Sequence, residues 1–138
     1  MKCVTSVNYA IKVNGCPMGS ITPSRGIFQG DPLSPYLFLL CAEGLSSLIK
    51  ASVANGVMKG ISVCREGLEL SHLFFADDSL IFCRATENEC QTLLNILANY
   101  ESASGQQINK TKTTLFFSKS TKVDMQNRIK DMLGVTVV

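Results

Sequence analysis

The sequence predicts an α+β fold in one domain over residues 1–138, an antiparallel sheet with helices packed on one face. Two observations predict the sheet and a third the helices. Short apolar runs bounded by turn residues occur at Ile61 to Cys64, Leu68 to Phe75 and Leu80 to Cys83, as half-buried strands require. The second and third of these flank a tight acidic turn, which makes them a hairpin. Three longer stretches carry helical spacing with start and stop signals, and helices beside such a sheet must bury their apolar stripes against it.

The elements follow in order. Val4 to Val13 alternates loosely and runs into Asn14-Gly15, a strand ending in a turn. A polar loop containing Gly19, Pro23 and Gly26 follows and closes on Gln29-Gly30-Asp31-Pro32. Asp before Pro is a helix start, because the carboxylate accepts from free N–H groups and Pro fits the first helical position. That helix is predicted from Pro32 to Ala54. It is apolar almost all round from Tyr36 to Leu45, the pattern of a helix packed on more than one side, and Asn55-Gly56 ends it. Thr86 with Glu89 forms a capping box, after which Cys90, Leu93, Leu94, Leu97 and Tyr100 repeat at helical spacing up to Gly105. Gln107 to Asn109 and Thr113 to Phe117 look extended. A last amphipathic helix from Lys122 to Leu133 places Met125, Ile129, Met132 and Leu133 on one face before Gly134.

Composition excludes several classes. With 46% hydrophobic and 17% charged residues the chain is an ordered globular one. The longest apolar run, Tyr36 to Ala42, is far short of the roughly 20 residues of a membrane span, so no membrane partner is expected. Six cysteines without a Cys-x-x-Cys pair and a single histidine, His72, argue against zinc. Most of those cysteines lie in apolar runs and no secretory signal precedes them, so the expected location is an intracellular reducing compartment, nucleus or cytoplasm, with an organelle also compatible. The net charge of +2 hides an uneven distribution. Residues 1–60 carry five bases and two acids, 61–105 two bases and seven acids, and 106–138 six bases and two acids. Basic flanks around an acidic centre fit a polyanion held near a metal site.

Chemistry concentrates in His72 to Cys83, where Asp77 and Asp78 stand at the turn between Leu73-Phe74-Phe75 and Leu80-Ile81-Phe82. Two adjacent carboxylates disfavour joint ionisation unless water or cations screen them, so a pair on a rigid hairpin tip suits divalent metal. In isolation an ordinary Asp-rich turn would look the same. Two further segments accompany the acids. In Gln29-Gly30-Asp31-Pro32-Leu33-Ser34-Pro35 glycine lets a flat substrate approach the backbone at a helix start. In Gly105 to Lys112 a glycine precedes the basic Lys110-Thr111-Lys112. Each alone also reads as a capped helix start or as solvated lysines.

Together and in this order, the three segments resemble those of the reverse transcriptases of non-LTR (LINE-type) retrotransposons, particularly plant elements. Arg25 to Phe38 looks like motif B, Phe75-Ala76-Asp77-Asp78 like the motif C hairpin of the polymerase palm, and Gly105 to Lys112 like motif D. Maturases of group II introns share palm motifs, but Gln29 to Phe38 is closer to the LINE type. The resemblance implies a partial palm domain and RNA-directed DNA synthesis by two-metal nucleotidyl transfer. It implies Asp77 and Asp78 as catalytic acids and metal ligands, two Mg2+ or Mn2+ ions as cofactors, and Lys112 as a cation near the leaving pyrophosphate. Arg25, Gln29, Gly30, Phe75 and Ala76 would border template, incoming nucleotide and primer end, while Asp31 reads as a helix cap. The implied partners are an RNA template, a DNA primer and dNTPs.

Two departures from the family pattern carry expectations of their own. Phe28 stands where these elements often carry arginine. No Asp or Glu precedes Asp31, whereas the palm takes a third carboxylate from an earlier strand, motif A, with the fingers segment upstream and the thumb downstream. The chain by itself is therefore expected to lack useful polymerase activity, and its open sheet edge to pair with another chain. The alternative reading is a non-catalytic nucleic-acid-binding remnant.

Overall fold

The computed structural model describes residues 8–22, 32–62, 67 and 69–135. The chain forms two compact units, Met1–Ser34 and Pro35–Val138.

In the first unit β1 (Tyr9–Val13) pairs antiparallel with β2 (Cys16–Ile21) across Asn14-Gly15. Both turn residues have positive φ, 49° and 83°, which is the I′ geometry that matches strand twist. The turn was legible in the sequence and the returning strand was not. β2 contains Pro17 and Gly19, residues that disfavour a strand, and Pro17 is tolerated because a two-stranded ribbon has only edges. Val4 to Val7, the first part of the expected strand, lie outside the described residues.

In the second unit α1 (Ser34–Ala54) follows a turn at Pro32-Leu33, as predicted to within two residues. Its end is set at Gly56, which has a φ of 70° and donates its N–H to Val53 O. Asp31, its expected cap, lies outside the described residues. Leu45, Ser46 and Ile49 form the buried stripe, while Tyr36, Leu40, Glu43, Ser47 and Lys50 line an exposed one. The near-continuous apolar run therefore packs on one side rather than all round. Among the described residues this is the one helix long and apolar enough to cross a membrane, by length and composition only. Here its inward stripe belongs to the protein core.

Among the described residues three short strand pairs stand where a single sheet was expected. Besides β1–β2 these are β3 (Ile61–Ser62) with β4 (Glu69–Leu70), and β5 (His72–Phe75) with β6 (Asp78–Ile81), all antiparallel. Gly60, entering β3, lies so close to the backbone of Leu70 that a Cβ there would be 2.3 Å from its carbonyl oxygen. Only glycine permits that approach. Among the described residues Gln107 to Asn109 and Thr113 to Phe117 join no ladder.

α2 (Glu87–Ser104) starts at Thr86, whose hydroxyl accepts from Glu89 N, and ends at Gly105 in the left-handed region. Only half of the capping box forms. The Glu89 carboxylate turns away from the cap and accepts from Arg84 N at 2.9 Å and Lys59 N at 3.1 Å, tying the segments that leave β6 and α1 to the start of α2. α3 (Val123–Leu133) buries Ile129 and docks on α2, where Arg128 pairs with Glu87 at 2.6 Å. The core gathers Leu45 and Ile49 of α1, Met58, and Ile96 of α2, with Phe74, Ile81 and Cys83 of the hairpin region packed against it. Helices thus cover one face of the β5–β6 hairpin, which is the α+β arrangement expected.

Candidate active site

Alternation along the β5–β6 hairpin decides what its residues meet. The cross-strand pairs are His72 with Ile81, Leu73 with Leu80, Phe74 with Ser79, and Phe75 with Asp78. Directly opposed residues share a face. His72, Phe74 and Ile81 therefore face the core, and Leu73, Phe75, Leu80 and Asp78 form the outer face. That outer face is bare: Leu73, Phe75 and Leu80 are all exposed, Phe75 to 83%.

The tip is a two-residue turn, Ala76-Asp77, so the second acid is not in the turn but opens β6. Ala76 has a φ of 50° and Asp77 is not among the residues of positive φ. Positive φ at the first turn position alone is the II′ pattern, which favours glycine there; for alanine it costs about 1–2 kcal/mol. Asp77 and Asp78 are both exposed. Among the described residues no third His, Cys, Asp or Glu joins them in a metal-ligating group.

The base of the hairpin is polar. His72 Nε2 lies 2.9 Å from the buried hydroxyl of Ser46 on α1, and Nδ1 lies 2.9 Å from Ser71 Oγ. The imidazole also leans on Phe74, with ring centroids 4.7 Å apart. Burial, then Lys50, holds the His72 pKa below its ordinary value of 6.5, while Glu43 opposes them. Sequence reasoning missed this residue; its one signal was a lone histidine at the start of an apolar strand. Further along, burial first, then Glu89 and Cys90, pushes the Cys83 thiol up to about 11, so it behaves as a small apolar side chain.

Of the remaining sequence-predicted site residues, Phe75, Ala76, Asp77 and Asp78 are brought together by the hairpin. Lys112 is exposed in the turn after α2, where its N–H donates to Asn109 O and the Asn109 side chain holds Thr111. That turn follows a firmly tied segment, since Glu101 accepts from Ile108 N and Tyr100 from α2 reaches Gln106. Among the described residues no ion pair joins Lys112 to either acid. Arg25, Gln29 and Gly30 lie outside the described residues.

An acidic turn on a helix-backed antiparallel hairpin, followed by a capped helix and a basic turn, is the layout of a polymerase palm. The chain belongs to the reverse transcriptase (RNA-dependent DNA polymerase) family, whose model matches residues 1–137. It is 32% identical over 103 residues to a retrovirus-related Pol polyprotein from a type-2 retrotransposable element of Drosophila melanogaster, covering 72% of this chain and 8% of that protein. It is 52% identical over 67 residues to an uncharacterized mitochondrial protein of Arabidopsis thaliana, covering 49% of this chain and 55% of that protein. The chain thus spans about half the length of one curated relative and less than a tenth of the other. No solved structure matches. The resemblance to retrotransposon reverse transcriptases drawn from motifs B, C and D is borne out. The family works on nucleic acids and generally uses divalent metal ions.

Proposed function

We propose that this chain carries the metal-holding part of the palm of a non-LTR retrotransposon polymerase that copies RNA into DNA. The observation that carries the reading is the pair Asp77 and Asp78, exposed at the tip of a hairpin whose opposite face is anchored on α1. Carboxylate oxygens are hard donors, and Mg2+ is commonly held by one or two carboxylates together with substrate phosphates, so this donor set fits Mg2+ or Mn2+. When bound, two such ions stabilise both the attacking and the leaving oxygen of a nucleotidyl transfer.

The chain's own residues do the rest. Asp77, in the turn, and Asp78, at the first position of β6, present their carboxylates beyond the apolar packing, where phosphates can reach them. Phe75, beside Asp78 on the outer face, offers a bare ring to the sugar or base of a primer end. Ala76 keeps the tip small. Lys112 is a cation for the leaving pyrophosphate, while Arg25, Gln29 and Gly30 border template and incoming dNTP.

The test is Mn2+ binding to the purified chain, with and without an RNA template annealed to a DNA primer, followed by electron paramagnetic resonance. Affinity should fall at least tenfold in Asp77→Asn, and unchanged binding in that variant would refute the assignment. The absence of a third ligand among the described residues favours one other reading, a nucleic-acid-binding module without chemistry. Magnesium-independent RNA binding that survives Asp77→Asn, with log K falling against log salt, would establish it instead.

A further inference from the structure

Among the described residues the hairpin that carries Asp77 and Asp78 has two strands and an exposed outer face, so its direction there is set by what its inner face touches. Most of that contact, through Phe74 and Ile81, is apolar and therefore non-directional. Beyond the hairpin's own ladder and the Arg84 N–H held by Glu89 past its end, one described contact of the inner face is directional. His72 Nε2 meets Ser46 Oγ at 2.9 Å, on a helix position that is itself buried, and Nδ1 meets Ser71 Oγ at 2.9 Å, which fixes the plane of the ring. We propose that His72 is the positioning residue that aims the acid hairpin, by pinning the base of β5 to Ser46 of α1 in one register and at one angle.

The geometry explains why one such pin matters. Asp77 lies five residues beyond His72, roughly 17 Å along an extended strand. Angular slack of about 5° at the base then moves the tip by about 1.5 Å, on the scale at which misplaced catalytic groups lose ~100-fold in rate. The functional consequence rests on the reading of Asp77 and Asp78 as the metal-holding pair; the pinning itself does not.

Hydrogen exchange of the purified chain, read residue by residue, tests it in wild type, His72→Phe, Ser46→Ala and His72→Gln. His72→Phe keeps an aromatic ring and loses both hydrogen bonds, whereas Gln can still bond the Ser46 hydroxyl. Exchange of the Phe75 to Leu80 amides should rise at least tenfold in His72→Phe and Ser46→Ala, with less than a threefold change over Glu89 to Leu97. His72→Gln should restore most of the protection. A uniform rise across both segments would show a merely structural role and overturn the proposal, as would no rise at the hairpin.

A second measurement varies only the pH, with His72→Phe as its control. Lys50 and Glu43, both on α1, are the charged groups that act on His72, with opposite signs. Charging the ring in this half-buried place should loosen the hairpin relative to α2 between pH 7.5 and 5.5, after correction for intrinsic exchange. His72 is the only histidine, so His72→Phe should abolish that dependence. A flat wild-type profile would also overturn the proposal. Neither measurement involves metal or nucleic acid, so its outcome is independent of whether Asp77→Asn abolishes Mn2+ binding.

Discussion

Replacing Glu89 by alanine should cost this fold about 2–5 kcal/mol, more than any single apolar truncation at the periphery of the core. Glu89 is only 7% exposed. Its carboxylate accepts two backbone N–H groups, from Lys59 and Arg84, that belong to different segments and have no helix or ladder to fall back on. Each N–H left without an acceptor costs about 1–3 kcal/mol. A domain of this length is stable by roughly 7–20 kcal/mol, so the loss is a large fraction of the total. Glu89→Gln keeps an oxygen with two lone pairs in place and loses only the charge, at about 1 kcal/mol. Urea denaturation followed by circular dichroism measures both. The midpoint should fall by about 1–2 M in Glu89→Ala at an unchanged slope, and by less than half of that in Glu89→Gln. A Glu89→Ala variant within ~0.5 kcal/mol of wild type would refute the reasoning. So would a Gln variant as unstable as the Ala one, since the oxygen rather than the charge is held responsible.

Gly60→Ala should destabilise by about 1–3 kcal/mol in the same assay, because the new Cβ meets the Leu70 backbone rather than a side chain that can swing away. In thiol labelling at pH 8, among the described cysteines the exposed Cys16 should react first, and Cys83, held protonated up to about 11 by burial, only on the timescale of unfolding. Because the folded state holds His72 below the unfolded value of 6.5, the unfolded chain takes up its proton first as pH falls. Stability should therefore decline below pH 6.5 and level off once the folded pKa is passed, and a thermal melting series should show this step in wild type and not in His72→Phe.

What the sequence made legible were the features whose signals are local. Thr86 and Gly105 bound α2 by cap chemistry that acts within one turn, Asn14-Gly15 specifies a I′ turn by itself, and the apolar runs around Asp77 and Asp78 make a hairpin from neighbouring residues. What it concealed depends on partners distant in the chain. Glu89 reads as a capping-box acid, yet its carboxylate is drawn to Lys59 N, thirty residues earlier. His72 acquires its role only from Ser46, twenty-six residues away. The strand β6 was expected to begin at Leu80, since polar Asp78 and Ser79 do not look like strand residues. They are in the ladder because the two-residue turn at Ala76-Asp77 leaves them opposite Phe75 and Phe74. The acid pair stands out in the sequence because motif order is local, whereas the contacts of Glu89 and His72 are a property of packing.

The bare apolar surface on the hairpin and on α1 also has a thermodynamic signature. Surface that water already touches in the native state is not newly exposed on unfolding. With Leu73, Phe75, Leu80, Tyr36, Leu39 and Leu40 all solvated before the transition, both the heat-capacity increment and the urea slope should fall below those usual for 138 residues. Its stability curve would then be flatter than usual, and cooling would weaken this protein less than one whose large side chains are all inside.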